Sequence, residues 1–243
     1  MTAKPPSDDI VIVHSSDLHV DDGYTARAWG GDGNAPLAAV IATARSIAAD
    51  IVLLTGDIFD HNRLKSDVLD RTRIVLAEAG LPVVMLPGNH DPLIDNVHVL
   101  GAESHTASFP ALDLDIWGRA HTDYDDVNPL AGAPQRSARW HVVAGHGHYA
   151  DERPSGGRPG PSWLFTPQEI EDTGADYVAL GHWNRQIRVG FARLCRDRQR
   201  RDPALGRHGR YRPYPRRWRP GQKSIILFYF NILKFFLTLK TLL

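Results

Sequence analysis

The 243-residue chain holds a single cysteine, Cys195, which rules out an intramolecular disulfide and any Cys-based zinc site. A reducing cytoplasm suits that composition. The opening MTAKPPSDD has neither the charge pattern nor the apolar length of a secretory signal, so the sequence reads as cytoplasmic. There is no internal repeat, and nothing points to a repeat architecture. Basic residues are scarce as far as Asn184: 10 Arg and 2 Lys stand against 26 Asp plus Glu, a net −14. Residues 185–243 reverse this, with 13 Arg and 3 Lys against 2 Asp, a net +14. The overall neutrality conceals two different kinds of polypeptide.

The acidic part alternates short apolar runs with helical patterns. Ile10 to His14, Ile51 to Leu54 and Pro82 to Leu86 read as buried strands. Between them, Pro36 opens a run with apolar residues at helical spacing, and Val68 to Ala79 forms a second such run closed by Gly80. Further strands are expected at Leu114 to Trp117, Trp140 to Ala144 and Tyr177 to Leu180, with a short helix over 167–173. The Pro- and Gly-rich stretch from Tyr149 to Ser162 reads as a surface loop. In open α/β sheets ligands gather at the carboxyl ends of strands. Polar clusters occupy those ends here: Asp17-Leu18-His19, Gly56-Asp57-Ile58-Phe59-Asp60, Gly88-Asn89-His90-Asp91, Gly145-His146-Gly147-His148 and Gly181-His182-Trp183-Asn184. Oxygen and nitrogen donors without thiolates suit Mn²⁺, Fe or Zn²⁺, and the number of donors suffices for two divalent metal ions.

The ordered set DLH, GDIFD, GNHD, GHGH and GHW resembles the motifs of the calcineurin-like metallophosphoesterase superfamily. Within it, HSSDLH and GDIFDHNR look most like the branch of SbcD-type bacterial exonucleases. The resemblance covers about residues 10–190. It implies a four-layer α/β/β/α sandwich with two metals, Mn²⁺ foremost and Fe or Zn²⁺ as alternatives. It also implies hydrolysis of a phosphate-ester substrate, a phosphodiester or DNA, by attack of a metal-bridging hydroxide. Carried over position by position, Asp17 and His19 bind the first metal and Asp57 bridges both. Asn89, His146 and His182 complete the second. His90 becomes the catalytic histidine near the leaving group, with Asp91 orienting it. His61, Asn62 and Arg63 follow the second motif and become substrate contacts, a solvent-facing role being the alternative. Two points stay open. Asn184 stands where the family carries a second histidine for the first metal, and either His146 or His148 can be the fourth-motif ligand, His146 being preferred because it follows its strand directly.

Singly, each residue also has an ordinary reading: His182 as a partly buried histidine, Asp57 as a cap, Asn89 as a turn residue. His14, His98, His105, His121 and His141 belong to no motif and read as structural. A non-catalytic scaffold of the same fold is the rival to an enzyme.

The sequence divides into a metallophosphoesterase domain at 1–192, an Arg-rich irregular segment at 193–222 and an apolar tail at 223–243. No Gly-Ser-Pro-type turn or further strand pattern follows the last motif, so the last sheet-closing strands are expected to be missing. The Arg-rich segment is either a nucleic-acid-binding tail or an aberrant C-terminus, such as an out-of-frame reading produces. Membrane association through 224–243 competes with a non-native tail, because Asn231 and Lys234 interrupt its middle. Oligomeric state is left open.

Overall fold

The apolar runs assemble into two sheets packed face to face in a computed structural model. It describes residues 10–21, 23–59, 63–88, 97–101, 104–121, 128–152, 163–182 and 225–230, the last six and residues 24, 25 and 28 through their backbone alone. Strand β1 (Ile10–Ser15) leads through α1 (Gly23–Ala28) and α2 (Ala35–Ser46) to β2 (Ile51–Thr55), then α3 (Ser66–Ala77), β3 (Val83–Leu86) and β4 (His98–Val99). The second half carries β5 (Thr106–Phe109), β6 (Leu114–Gly118), β7 (Trp140–His146), β8 (His148–Tyr149), β9 (Leu164–Phe165), α4 (Pro167–Asp172) and β10 (Tyr177–Gly181). A last strand, β11, spans Ile225–Phe230.

The first sheet runs β11-β1-β2-β3-β4 and is parallel throughout. The second runs β10-β7-β6-β5 and is parallel except for the β5–β6 pair. Sheets covered on both faces are built from near-continuous apolar runs, which is why these strands stand out in the sequence. Ile10, Ile12, Ile51, Leu53, Val84 and Leu86 face Leu114, Ile116, Val142, Ala144 and Ala179 across the seam between sheets. The alternate residues Val13, Val52, Leu54 and Met85 point outward to Leu37, Val40 and Ile41 of α2 and Val68 and Leu76 of α3. On the far side, Trp117, Val143 and Phe165 pack with Ile170 of α4. The order helix, sheet, sheet, helix is the expected four-layer sandwich.

Local chemistry fixes the helix ends. Pro36 sits in the first turn of α2, where its missing N–H costs no hydrogen bond. Buried Asn34 at the start of α2 accepts a hydrogen bond from Thr72 Oγ1 of α3 at 2.8 Å, tying the two helices together. Thr166 and Glu169 form a reciprocal capping box that starts α4.

The sequence reading placed no element at α1, β4, β5, β8 or β9, and at one further element the structure departs from what it assigned. Six residues assigned to an apolar tail form β11, which pairs in parallel with β1 from Ile10↔Ile225 to Ser15↔Phe230. The run IILFYF is β-branched and aromatic, and without it β1 would present an unpaired edge. Among the described residues no helix is long and apolar enough to cross a membrane. Residues 193–222 lie outside the described residues.

Candidate metal centre

The described residues at or just after the ends of β1, β2, β7 and β10 converge because these strands are parallel within their sheets and the two sheets meet at their carboxyl ends. Backbone hydrogen bonds lace the first two loops together: Asp17 N–H to Gly56 O at 3.1 Å, His19 N–H to Asp57 O at 3.2 Å, and Val20 N–H to Ile58 O at 2.8 Å. A further bond joins the sheets directly, from His182 N–H to Asp17 Oδ2 at 3.0 Å.

Two glycines allow this approach. Gly56 holds φ +77°, and a Cβ there would strike the His146 ring. At Gly181 a Cβ would collide with the Thr55 carbonyl oxygen. The conformations beside them are unusual for residues with side chains: φ is +53° at Asp17, +46° at His19, +49° at Asp57 and +90° at His182. Such residues each cost on the order of 1–3 kcal/mol and cluster at functional sites.

The donors form two groups that share one carboxylate. Asp17, His19 and Asp57 offer ligand atoms within 4.8 Å of one another, and so do Asp57, His146 and His182. Asp57 and His146 are buried, at 7% and 2% exposure, so their charges lie out of bulk water. His146 Nδ1 donates to Thr55 O at 3.1 Å, which turns Nε2 toward Asp57 Oδ2 at 3.4 Å, longer than an ordinary hydrogen bond. Burial lowers the pKa of His146, but the Asp57 carboxylate, the Asp17 charge and the Thr55 carbonyl outweigh it and leave the group above its usual value. His182 is pushed down, by burial first and then by His146 and His148. His148 is pushed down by burial and His146. Its ring stands 4.1 Å from that of His182, but it belongs to neither donor group.

This arrangement fits divalent cations. The donors are oxygens and imidazole nitrogens of the kind that bind Mn²⁺, Fe or Zn²⁺. The buried Nε2 of His146 makes no hydrogen bond and aims at the shared carboxylate. With Nδ1 held by a carbonyl, its lone pair is the one a cation would use.

The family model for calcineurin-like phosphoesterases matches residues 10–186. The chain belongs to the calcineurin-like phosphoesterase family. It is 28% identical over 205 residues to the uncharacterized metallophosphoesterase YhaO of Bacillus subtilis strain 168, an overlap that is 73% of this chain and 49% of that protein. It is 29% identical over 83 residues to one subunit of the nuclease SbcCD of Escherichia coli K12, covering 33% of this chain and 21% of that protein. The chain spans half or less of the length of these relatives.

Of the residues singled out in the sequence, Asp17, His19, Asp57, His146 and His182 come together in the two donor groups. Arg63 is exposed, between β2 and α3. His61, Asn62, Asn89, His90, Asp91 and Asn184 lie outside the described residues. Sequence reasoning gave His14 no special role. It is a buried histidine directly beneath the site, and its only signal was a polar residue inside an apolar strand.

Proposed function

We propose that this protein is a dimetal-dependent phosphodiesterase of the cytoplasm. One observation carries the reading: two sets of oxygen and nitrogen donors share Asp57 at the rim where the sheets meet. In this assignment Asp17, His19 and Asp57 hold one cation, with Asn184 as a weaker fourth ligand than the family's histidine. Asp57, Asn89, His146 and His182 hold the other. Cations bound there supply Lewis acidity toward a phosphate ester and an activated water at neutral pH. Mn²⁺ is the preferred metal, because a carboxylate- and amide-containing set without thiolates favours harder cations.

The remaining work falls to the chain's own residues. Asp57 sets the spacing of the two sites, and Asp17 anchors the end of β10 by accepting the His182 N–H. His90 delivers a proton to the leaving-group oxygen, and Asp91 orients His90. Arg63, exposed beyond the second motif, meets substrate phosphate together with His61 and Asn62. The likeness to a nuclease component favours phosphodiesters, DNA among them, and the Arg-rich residues 193–222 offer charge suited to nucleic-acid phosphates.

The test is Mn²⁺-dependent hydrolysis of bis(p-nitrophenyl) phosphate, followed by single- and double-stranded DNA, with Asp57→Asn as control. Turnover of the small diester that falls at least about 100-fold in the control supports the assignment, since both sites lose a shared ligand. Turnover of the diester without DNA cleavage would remove the nuclease reading alone. A scaffold that keeps the fold without catalysis is favoured by Asn184. Elemental analysis separates the two, because a scaffold purifies with far fewer than two equivalents of metal.

A further inference from the structure

Ile10, Ile12 and His14 alternate along β1 toward the second sheet, so His14 sits in a seam whose fully buried side chains are otherwise mostly aliphatic. It is 1% exposed. Its Nδ1 lies 2.8 Å from Tyr177 Oη at the start of β10, and its Nε2 lies 2.7 Å from Thr55 Oγ1 at the end of β2. One imidazole thus bonds across the seam to the other sheet and sideways to the neighbouring strand. Burial holds its pKa at about 3, so the ring is neutral, with one nitrogen donating and the other accepting.

Thr55 links this histidine to the metal centre. Its side chain and its carbonyl serve different partners: Oγ1 meets His14, while the carbonyl oxygen accepts from His146 Nδ1 at 3.1 Å. The carbonyl is also what leaves no room for a side chain at Gly181, one residue before His182. The position of this single peptide therefore bears on His146 and on the strand that delivers His182.

We infer that His14 is a positioning residue for the metal centre: by holding Thr55 Oγ1, it fixes the peptide whose carbonyl aims His146 at Asp57. The inference rests on the dimetal reading of the site. Removing a partner that orients a metal-binding histidine typically costs about 10- to 100-fold in metal affinity.

The two ring nitrogens can be tested separately. His14→Gln places its amide near the Nε2 position, keeping the bond to Thr55 and losing the one to Tyr177. His14→Asn places it near Nδ1 and does the reverse. Mn²⁺ titration followed by electron paramagnetic resonance should show His14→Gln close to wild type and His14→Asn weakened at least about tenfold at one of two sites. Thr55→Val should match His14→Asn, and Tyr177→Phe should match wild type. A purely structural role makes the two His14 variants alike, so equal affinities in both would overturn the inference.

A second readout needs no metal. Nitrogen-15 spectra of the metal-free protein, at a pH where His146 is neutral, report its tautomer. Wild type and His14→Gln should show one Nδ1–H form, and His14→Asn a mixture. If the wild type binds no Mn²⁺ yet the tautomer responds as expected, the dimetal reading fails and the positioning role stands. An unchanged tautomer in His14→Asn overturns the role whatever the metal does.

Discussion

Acid should destabilise this protein through His14 before most of its carboxylates are protonated. The imidazole titrates at about 3 in the folded protein, against 6.5 when exposed, and burial is the cause. The Tyr177 hydroxyl faces it from β10, and Thr55 faces it from β2. A depressed histidine pKa means that the unfolded chain binds the proton more readily. The stabilisation is therefore complete above pH 6.5 and is lost as pH falls toward 3. Each pH unit in that window costs about 1.4 kcal/mol, so about 2 kcal/mol is gone by pH 5 and about 4 kcal/mol by pH 3. Against a domain stability of about 5–15 kcal/mol, that is a large share. Urea unfolding of metal-free protein at pH 7, 6 and 5 measures it, with His14→Gln as the non-titrating reference. The wild type should lose about 2 kcal/mol more than the variant between pH 7 and pH 5. Parallel pH profiles for the two proteins would refute the reasoning.

Gly56→Ala should cost at least about 1–3 kcal/mol in urea unfolding, because it combines positive φ with a clash against the His146 ring, and it should also reduce bound metal. Ile116→Ala, at 0% exposure between the sheets, should cost about 2–5 kcal/mol, whereas Ile74→Ala, at 56% exposure on α3, should stay within about 0.5 kcal/mol. Comparable losses at the two positions would show that the seam between sheets is not the core. Truncation after Lys223 removes β11 and bares the edge of β1, so the shortened chain should elute as aggregate on sizing. A sharp monomer peak with cooperative unfolding would show that β11 is dispensable.

Much of the framework was legible because its strands are buried on both faces. Ile51–Thr55 is wholly buried, and a strand with no solvent face leaves an uninterrupted apolar run. The helices α2 and α3 showed their 3.6-residue spacing and their boundary residues. The two-residue strands β4, β8 and β9 left no such trace, since only their neighbours decide that they pair. The apolar run at 225–230 was visible, but its place beside β1 was not. A strand of that composition carries no record of which edge will accept it.

By itself the sequence determined the longer buried strands, the helices α2, α3 and α4, the polar clusters at strand ends and the choice of oxygen and nitrogen donors. All of these are local properties of the chain. Tertiary structure decided that Asp57 is common to two donor groups, that His146 rather than His148 stands against it, and that His14 meets Thr55 and Tyr177. Those partners lie 41 and 163 residues away from His14, and proximity over such separations exists only once the two sheets have packed together.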